Sequence, residues 1–130
     1  MKGKIEQYPV YTVTQDSKVI QEEINLTDVT RDGRSLARAF ELYDIKLEDG
    51  SQGPRAALMN YSPGAVAATH VHTSWELIII LEGGLEWNGK KFGPNSIIRL
   101  EPGSSHAPSA PNGCLGIVVW EGSLKVDDAR

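Results

Sequence analysis

Glycine and proline cut this sequence at short intervals, and that punctuation limits what the chain can fold into more than any other feature. Breaks fall at Gly50 to Pro54, Pro63 and Gly64, Gly83 and Gly84, Gly89, Gly93 and Pro94, Pro102 and Gly103, and Pro108 to Gly113. Between them lie short runs rich in β-branched and aromatic residues: Arg55 to Tyr61, Glu76 to Leu81, Leu85 to Trp87, Ser96 to Leu100 and Leu115 to Glu121. Short β-favouring runs bounded by turn residues are the pattern of an all-β sandwich or barrel. With 130 residues, 40% of them hydrophobic, the chain can bury one core and is read as a single domain.

The sharpest local signal is Leu85-Glu86-Trp87, then Asn88-Gly89, then Lys90-Lys91-Phe92. Asn-Gly accepts the positive φ angles that a two-residue hairpin demands, so a hairpin is predicted there. Leu36 to Leu47 fits a helical stripe through Leu36, Phe40, Tyr43 and Leu47, and also an alternation through Tyr43, Ile45 and Leu47. The β-rich context decides for strand. Ser17 to Gly33 is polar with scattered apolar residues and reads as an arm or an edge strand packing on a partner. Residues 1–50 are therefore assigned to N-terminal strands or an arm packing on the barrel, and residues 51–125 to the barrel core.

Several function classes fall away on charge and hydropathy. The formal net charge is -4 and the longest basic run is the pair Lys90 and Lys91, which offers no footprint for a nucleic-acid backbone. The longest apolar run, Leu77 to Leu81, is far short of the roughly 20 residues that span a bilayer, so no membrane partner is expected. Met1 to Val10 carries lysines with no apolar stretch after them and does not read as a signal peptide, which gives a cytoplasmic expectation. Cys114 is the single cysteine, which rules out an intrachain disulfide and reads first as a small buried apolar residue.

The chain has three histidines, and two of them form His70-Val71-His72. On a strand, residues two apart face the same way, so both imidazoles would project together. Glu76 follows at the entrance to the apolar strand Leu77 to Leu81, where an unpaired carboxylate would be costly and a cation would remove the cost. His106 comes after the Pro102-Gly103 turn. The predicted metal ligands are thus His70, His72, Glu76 and His106. Satisfied core histidines are the plain alternative for a His-x-His pair, but the spaced Glu and the distant His weigh against it. Three imidazoles and one carboxylate suit one divalent ion, Fe, Mn, Ni or Zn, and discriminate poorly among them.

Gly64, His70, His72, Glu76 and Gly83 stand at the spacing of the first motif of the cupin superfamily, which this chain resembles at every fixed position. Pro102, Gly103 and His106 match its second motif, whereas Asn95, Ser96, Glu101 and Ala110 depart from it. Asn tolerates the left-handed turn that the family's glycine would make at position 95. From Ala56 to Trp120 the wording, including Leu58 to Gly64, Trp75 to Gly83, Pro102 to His106 and Gly113-Cys114, is similar to the ChrR-like cupins. That subgroup includes the C-terminal domain of the ChrR anti-sigma factor and, more loosely, cupin dioxygenases that cleave diketones. The resemblance implies a double-stranded β-helix barrel of jelly-roll type with a metal inside its mouth, and a homodimer contacting through the N-terminal segment.

A four-ligand site on a six-coordinate ion leaves two positions for water, O₂ or a chelating small molecule. The first functional expectation is therefore a metal-dependent enzyme of the dioxygenase or isomerase class acting on a small oxygenated compound. Ile78 and Ile80, in step with Glu76, would line its pocket, and Tyr61 and Trp75 are further lining candidates. Trp87, Trp120 and Phe92 read as core or rim packing, and Arg99 as a solvent-facing residue. The second expectation is a metal-bound sensory or regulatory module like the cupin half of the anti-sigma factor.

Overall fold

The computed structural model describes residues 5–31, 33–67, 70–122 and 124–126, and at residues 6, 31, 34, 70–72 and 124–126 it describes the backbone alone. Apart from one 3₁₀ turn at Ile5–Gln7, the regular elements are strands. They are β1 (Tyr11–Val13), β2 (Val19–Gln21), β3 (Thr27–Arg31), β4 (Arg34–Lys46), β5 (Gln52–Tyr61), β6 (Ala65–Val66), β7 (His70–His72) and β8 (Glu76–Gly83). There follow β9 (Leu85–Trp87), β10 (Lys90–Phe92), β11 (Ile97–Leu100), β12 (Ser105–His106), β13 (Ser109–Ala110), β14 (Cys114–Trp120) and β15 (Leu124–Val126). Among the described residues no helix is long and apolar enough to cross a membrane.

One wall of the barrel is a six-stranded sheet in the order β11-β8-β14-β5-β4-β3. The other is built from two smaller sheets, β10-β9-β13-β6 and β12-β7-β15, while β1 and β2 form a separate ribbon. The pairings are antiparallel, including the sequence-distant ones that bring β14 between β5 and β8. This is an all-β, single-domain barrel, as the punctuation of the sequence predicts.

Alternation along the strands sorts side chains into two layers. Ala57 and Met59 on β5, Ile78 and Ile80 on β8, and Cys114 and Val118 on β14 point into the barrel, where they meet Leu85, Leu100 and Ala110. The intervening Leu58 and Leu115 point outward and are buried under Ile5, Tyr8, Val10, Ile24 and Leu26. The N-terminal segment therefore serves as a cover for the outer face of the large sheet. Fully burying a side chain of this size contributes about 1.5–3 kcal/mol, so the outer layer is energetically part of the fold. The polar appearance of Ser17 to Gly33 follows from its division into an exposed ribbon strand, the packed Ile24 and Leu26, and the sheet-edge strand β3.

Three local predictions are met in detail. Trp87 pairs with Lys90 across Asn88 (φ 51°) and Gly89 (φ 74°), the two positive φ angles of a type I′ hairpin. The stretch with ambiguous periodicity is a strand, β4, whose Ala37 and Ala39 face the core while Phe40 packs in the outer layer. Asn95 takes φ 70°, the left-handed turn expected of it.

Candidate metal centre at the barrel mouth

Glu76 begins β8 and is 5% exposed, facing inward in step with Ile78 and Ile80, which are also buried. Its surroundings are mostly apolar, and burial pushes its carboxyl from the ordinary 4.5 up to about 8. On the opposite wall His106, also 5% exposed, sets its ring edge-on to Trp87 with centroids 4.8 Å apart. Trp87 itself packs on the inner core, so His106 and Glu76 both address the barrel interior.

Register brings the remaining two predicted ligands to the same sheet as His106. Residue 70 lies directly across from residue 106 in the pairing of β7 with β12, and residue 72 lies two further along β7. Positions directly opposed, and positions two apart, share a sheet face. The imidazoles of His70 and His72 lie outside the described side chains. Among the described residues no three His, Cys, Asp or Glu side chains gather as a metal cluster, and the quartet requires those two imidazoles. The donor set fits a divalent ion, since a buried carboxylate and a buried imidazole face one interior and are both donor types that such an ion accepts.

The other predicted lining residues divide. Tyr61 ends β5 directly across from Cys114, and burial, then the charges of Glu76 and Cys114, raise its phenol well above its ordinary value. Tyr61 therefore shares the interior with Glu76. Burial likewise pushes the Cys114 thiol up to about 12. Trp75 lies elsewhere. It is 44% exposed, with the Arg99 guanidinium 6.0 Å from its ring centre, and Arg99 alternates with the inward-facing Ile98 and Leu100.

A surface concavity of about 380 Å³ lies at the other end of β8, lined by Gly83 to Glu86, Lys91 to Gly93, Pro111 and Asn112. It is separate from Glu76, and of its lining residues only Glu86 and Lys91 are charged. Chemistry is better served where titratable side chains converge, which is the Glu76 end.

A residue that sequence reading passed over completes that end. One rung of the large sheet runs Asp44, Arg55, Trp120, Glu76, Leu100 across five neighbouring strands. Arg55 has the inward parity of Ala57 and Met59 and stacks on the Trp120 ring at 4.6 Å. Its Nε donates to Glu41 Oε2 at 3.0 Å. The only hint in the sequence is the two-residue step from Arg55 to Ala57.

Comparison with known proteins follows the same lines. The family model described as the ChrR cupin-like domain matches residues 43–125. No curated protein matches the sequence. Among solved structures, an RmlC-like cupin protein from Ralstonia eutropha JMP134 superposes with a TM-score of 0.67 at 13% identity, over 95% of this chain and 76% of that one. An acetylacetone dioxygenase from Acinetobacter johnsonii gives 0.60 at 19% identity, over 71% and 64% respectively. The complex of SigE with the anti-sigma ChrR from Rhodobacter sphaeroides gives 0.60 at 19%, over 76% and 50%. This chain thus spans less than two thirds of the length of the latter two. At such identities the likeness is one of fold, within a superfamily that often binds metals. The family match covers most of the barrel and both motifs: the chain belongs to the cupin superfamily, in the family of ChrR cupin-like domains.

Proposed function

We propose that this protein is a metal-dependent enzyme, of the dioxygenase or isomerase class, acting on a small oxygenated compound at the Glu76 end of the barrel. The observation that carries the reading is the buried Glu76 carboxyl, which faces the same interior as the buried His106. His70, His72, Glu76 and His106 would hold the ion, and when bound it would supply a Lewis-acidic centre for a chelating substrate. Ile78 and Ile80 exclude water beside Glu76, and the Tyr61 hydroxyl, kept protonated by its surroundings, remains a hydrogen-bond donor to a substrate oxygen.

Elemental analysis of anaerobically purified protein, followed by O₂ uptake and isomerisation assays with β-diketones and enediols, tests the reading. Near-stoichiometric metal with turnover of one chelator is the expected result. Metal present with no turnover of any compound would remove the enzyme and leave a binding module. His72→Ala should cut bound metal at least tenfold, since ligand loss degrades geometry and affinity together. Wild-type metal content in that variant would refute the site.

The match to the ChrR cupin-like domain favours a second reading, a metal-bound regulatory module. Copurification with a sigma factor, in the absence of turnover, is its test.

A further inference from the structure

The charged rim beside Glu76 is built more deliberately than stability requires. Arg55 is pinned on two sides, by the Trp120 ring under its plane at 4.6 Å and by Glu41 at its Nε edge. Asp44, directly across from it, has its hydrogen bonds elsewhere, with Gln52 Nε2 donating at 2.8 Å and Lys46 Nζ at 3.2 Å, and the Arg55 charge acts on its carboxyl only as a smaller influence. The outer edge of the guanidinium, formed by its two Nη groups, meets no acceptor among the described residues. An ion pair this exposed adds little to folding. What Glu41 and Trp120 accomplish together is to fix the plane of a guanidinium whose two-pronged end stays open.

Such a prong is the geometry that receives a carboxylate through two parallel hydrogen bonds, and stacking on an aromatic ring preorganises it. Trp120 stands between Arg55 and Glu76 in the same rung, so two strand spacings, about 9.6 Å, separate the backbones of the charge and the proposed metal ligand. Stacking on Trp120 leans the Arg55 guanidinium toward the Glu76 side of the sheet and so narrows that gap. A short oxo acid can therefore lay its carboxylate on Arg55 while its far oxygen approaches Glu76.

We infer that Arg55, stacked on Trp120 and aligned by Glu41, is a specificity-determining residue that selects carboxylate-bearing substrates for this site. The inference deepens the proposed function and rests on it for the position of the substrate's other end. Arg99, the other arginine stacked on a tryptophan, belongs to the outer face and has no part in this.

The test is titration calorimetry on zinc-loaded protein with acetoacetate and with methyl acetoacetate, which keeps the dicarbonyl and loses the charge. Wild type should bind acetoacetate at least tenfold more tightly than the ester. Arg55→Gln should abolish that preference and leave the ester's affinity within about twofold, whereas Arg55→Lys should keep part of it. Circular dichroism of each variant confirms the fold. An equal loss for both probes, an unchanged acetoacetate affinity in Arg55→Gln, or no preference in wild type would each overturn the role of Arg55. Zinc content measured on the same samples separates the two readings. Full zinc without a carboxylate preference rejects Arg55 alone, while a preference that persists in protein unable to retain zinc supports Arg55 and rejects the metal site.

Discussion

Glu76 sits where the demands of folding and of the proposed metal binding oppose each other. Because burial raises its carboxyl from 4.5 to about 8, the folded metal-free chain holds that proton more tightly than the unfolded chain does. The stability this contributes is complete below about pH 4.5 and is lost as pH rises through 8. Metal-free wild type should therefore lose stability relative to Glu76→Gln between pH 5 and pH 8, with a limiting slope of about 1.4 kcal/mol per pH unit. Urea denaturation of both proteins at three pH values reads this, and parallel profiles would contradict it. Cys114, 3% exposed and with its thiol pushed up to about 12, should resist a thiol reagent at neutral pH in the folded protein and react at once in urea. Among single residues, the inward burial of Glu76 and His106 was legible because a motif read at strand spacing fixes which side chains share a face. Arg55 was not legible, because its meaning depends on Trp120, a cross-strand neighbour that only the register of β14 on β5 supplies.

At the level of elements, turn chemistry carried most of what could be read in advance. The Asn88-Gly89 hairpin and the left-handed Asn95 are backbone demands met by residue type alone. Gly83 adds a steric demand to a conformational one: its φ is 72°, and a Cβ there would lie 2.2 Å from the carbonyl oxygen of Gly113. Gly83→Ala should therefore cost more than the roughly 1–3 kcal/mol of an unfavourable φ alone, whereas Asn95→Gly should stay within about 1 kcal/mol of wild type. Thermal and urea unfolding of the two variants check the contrast, and similar losses would refute it. The segment Ser17 to Gly33 was harder to read because its apolar residues serve different surfaces. Ile24 and Leu26 cover the outer sheet face, whereas Val19 and Ile20 lie in the ribbon and are exposed. No single periodicity describes such a segment.

For the whole molecule, the barrel class followed from punctuation, while the second layer outside the large sheet did not, since nothing local marks Leu58 and Leu115 as buried on the side away from the barrel interior. The ribbon beyond that layer exposes Tyr11, Val13, Val19 and Ile20, at 47% to 66%. A two-stranded ribbon is marginal by itself, and clustered exposed apolar residues on it suit a contact with a second copy. The homodimer that the family resemblance implies should appear in size exclusion with light scattering, and Val13→Glu with Val19→Glu should shift it toward monomer without loss of β-sheet signal. A wild-type monomer at every concentration would end that expectation.

The rung joining Asp44, Arg55, Trp120, Glu76 and Leu100 also bears on how the molecule forms. Its members are scattered across most of the sequence, so closing it requires several long loops to be tied before any of its contacts repay the entropy lost. A partly folded chain, or one emerging from synthesis before Trp120 is available, holds the ingredients of the mouth without the mouth. The proposed recognition at this end of the barrel would thus be acquired late, after the sheet has closed.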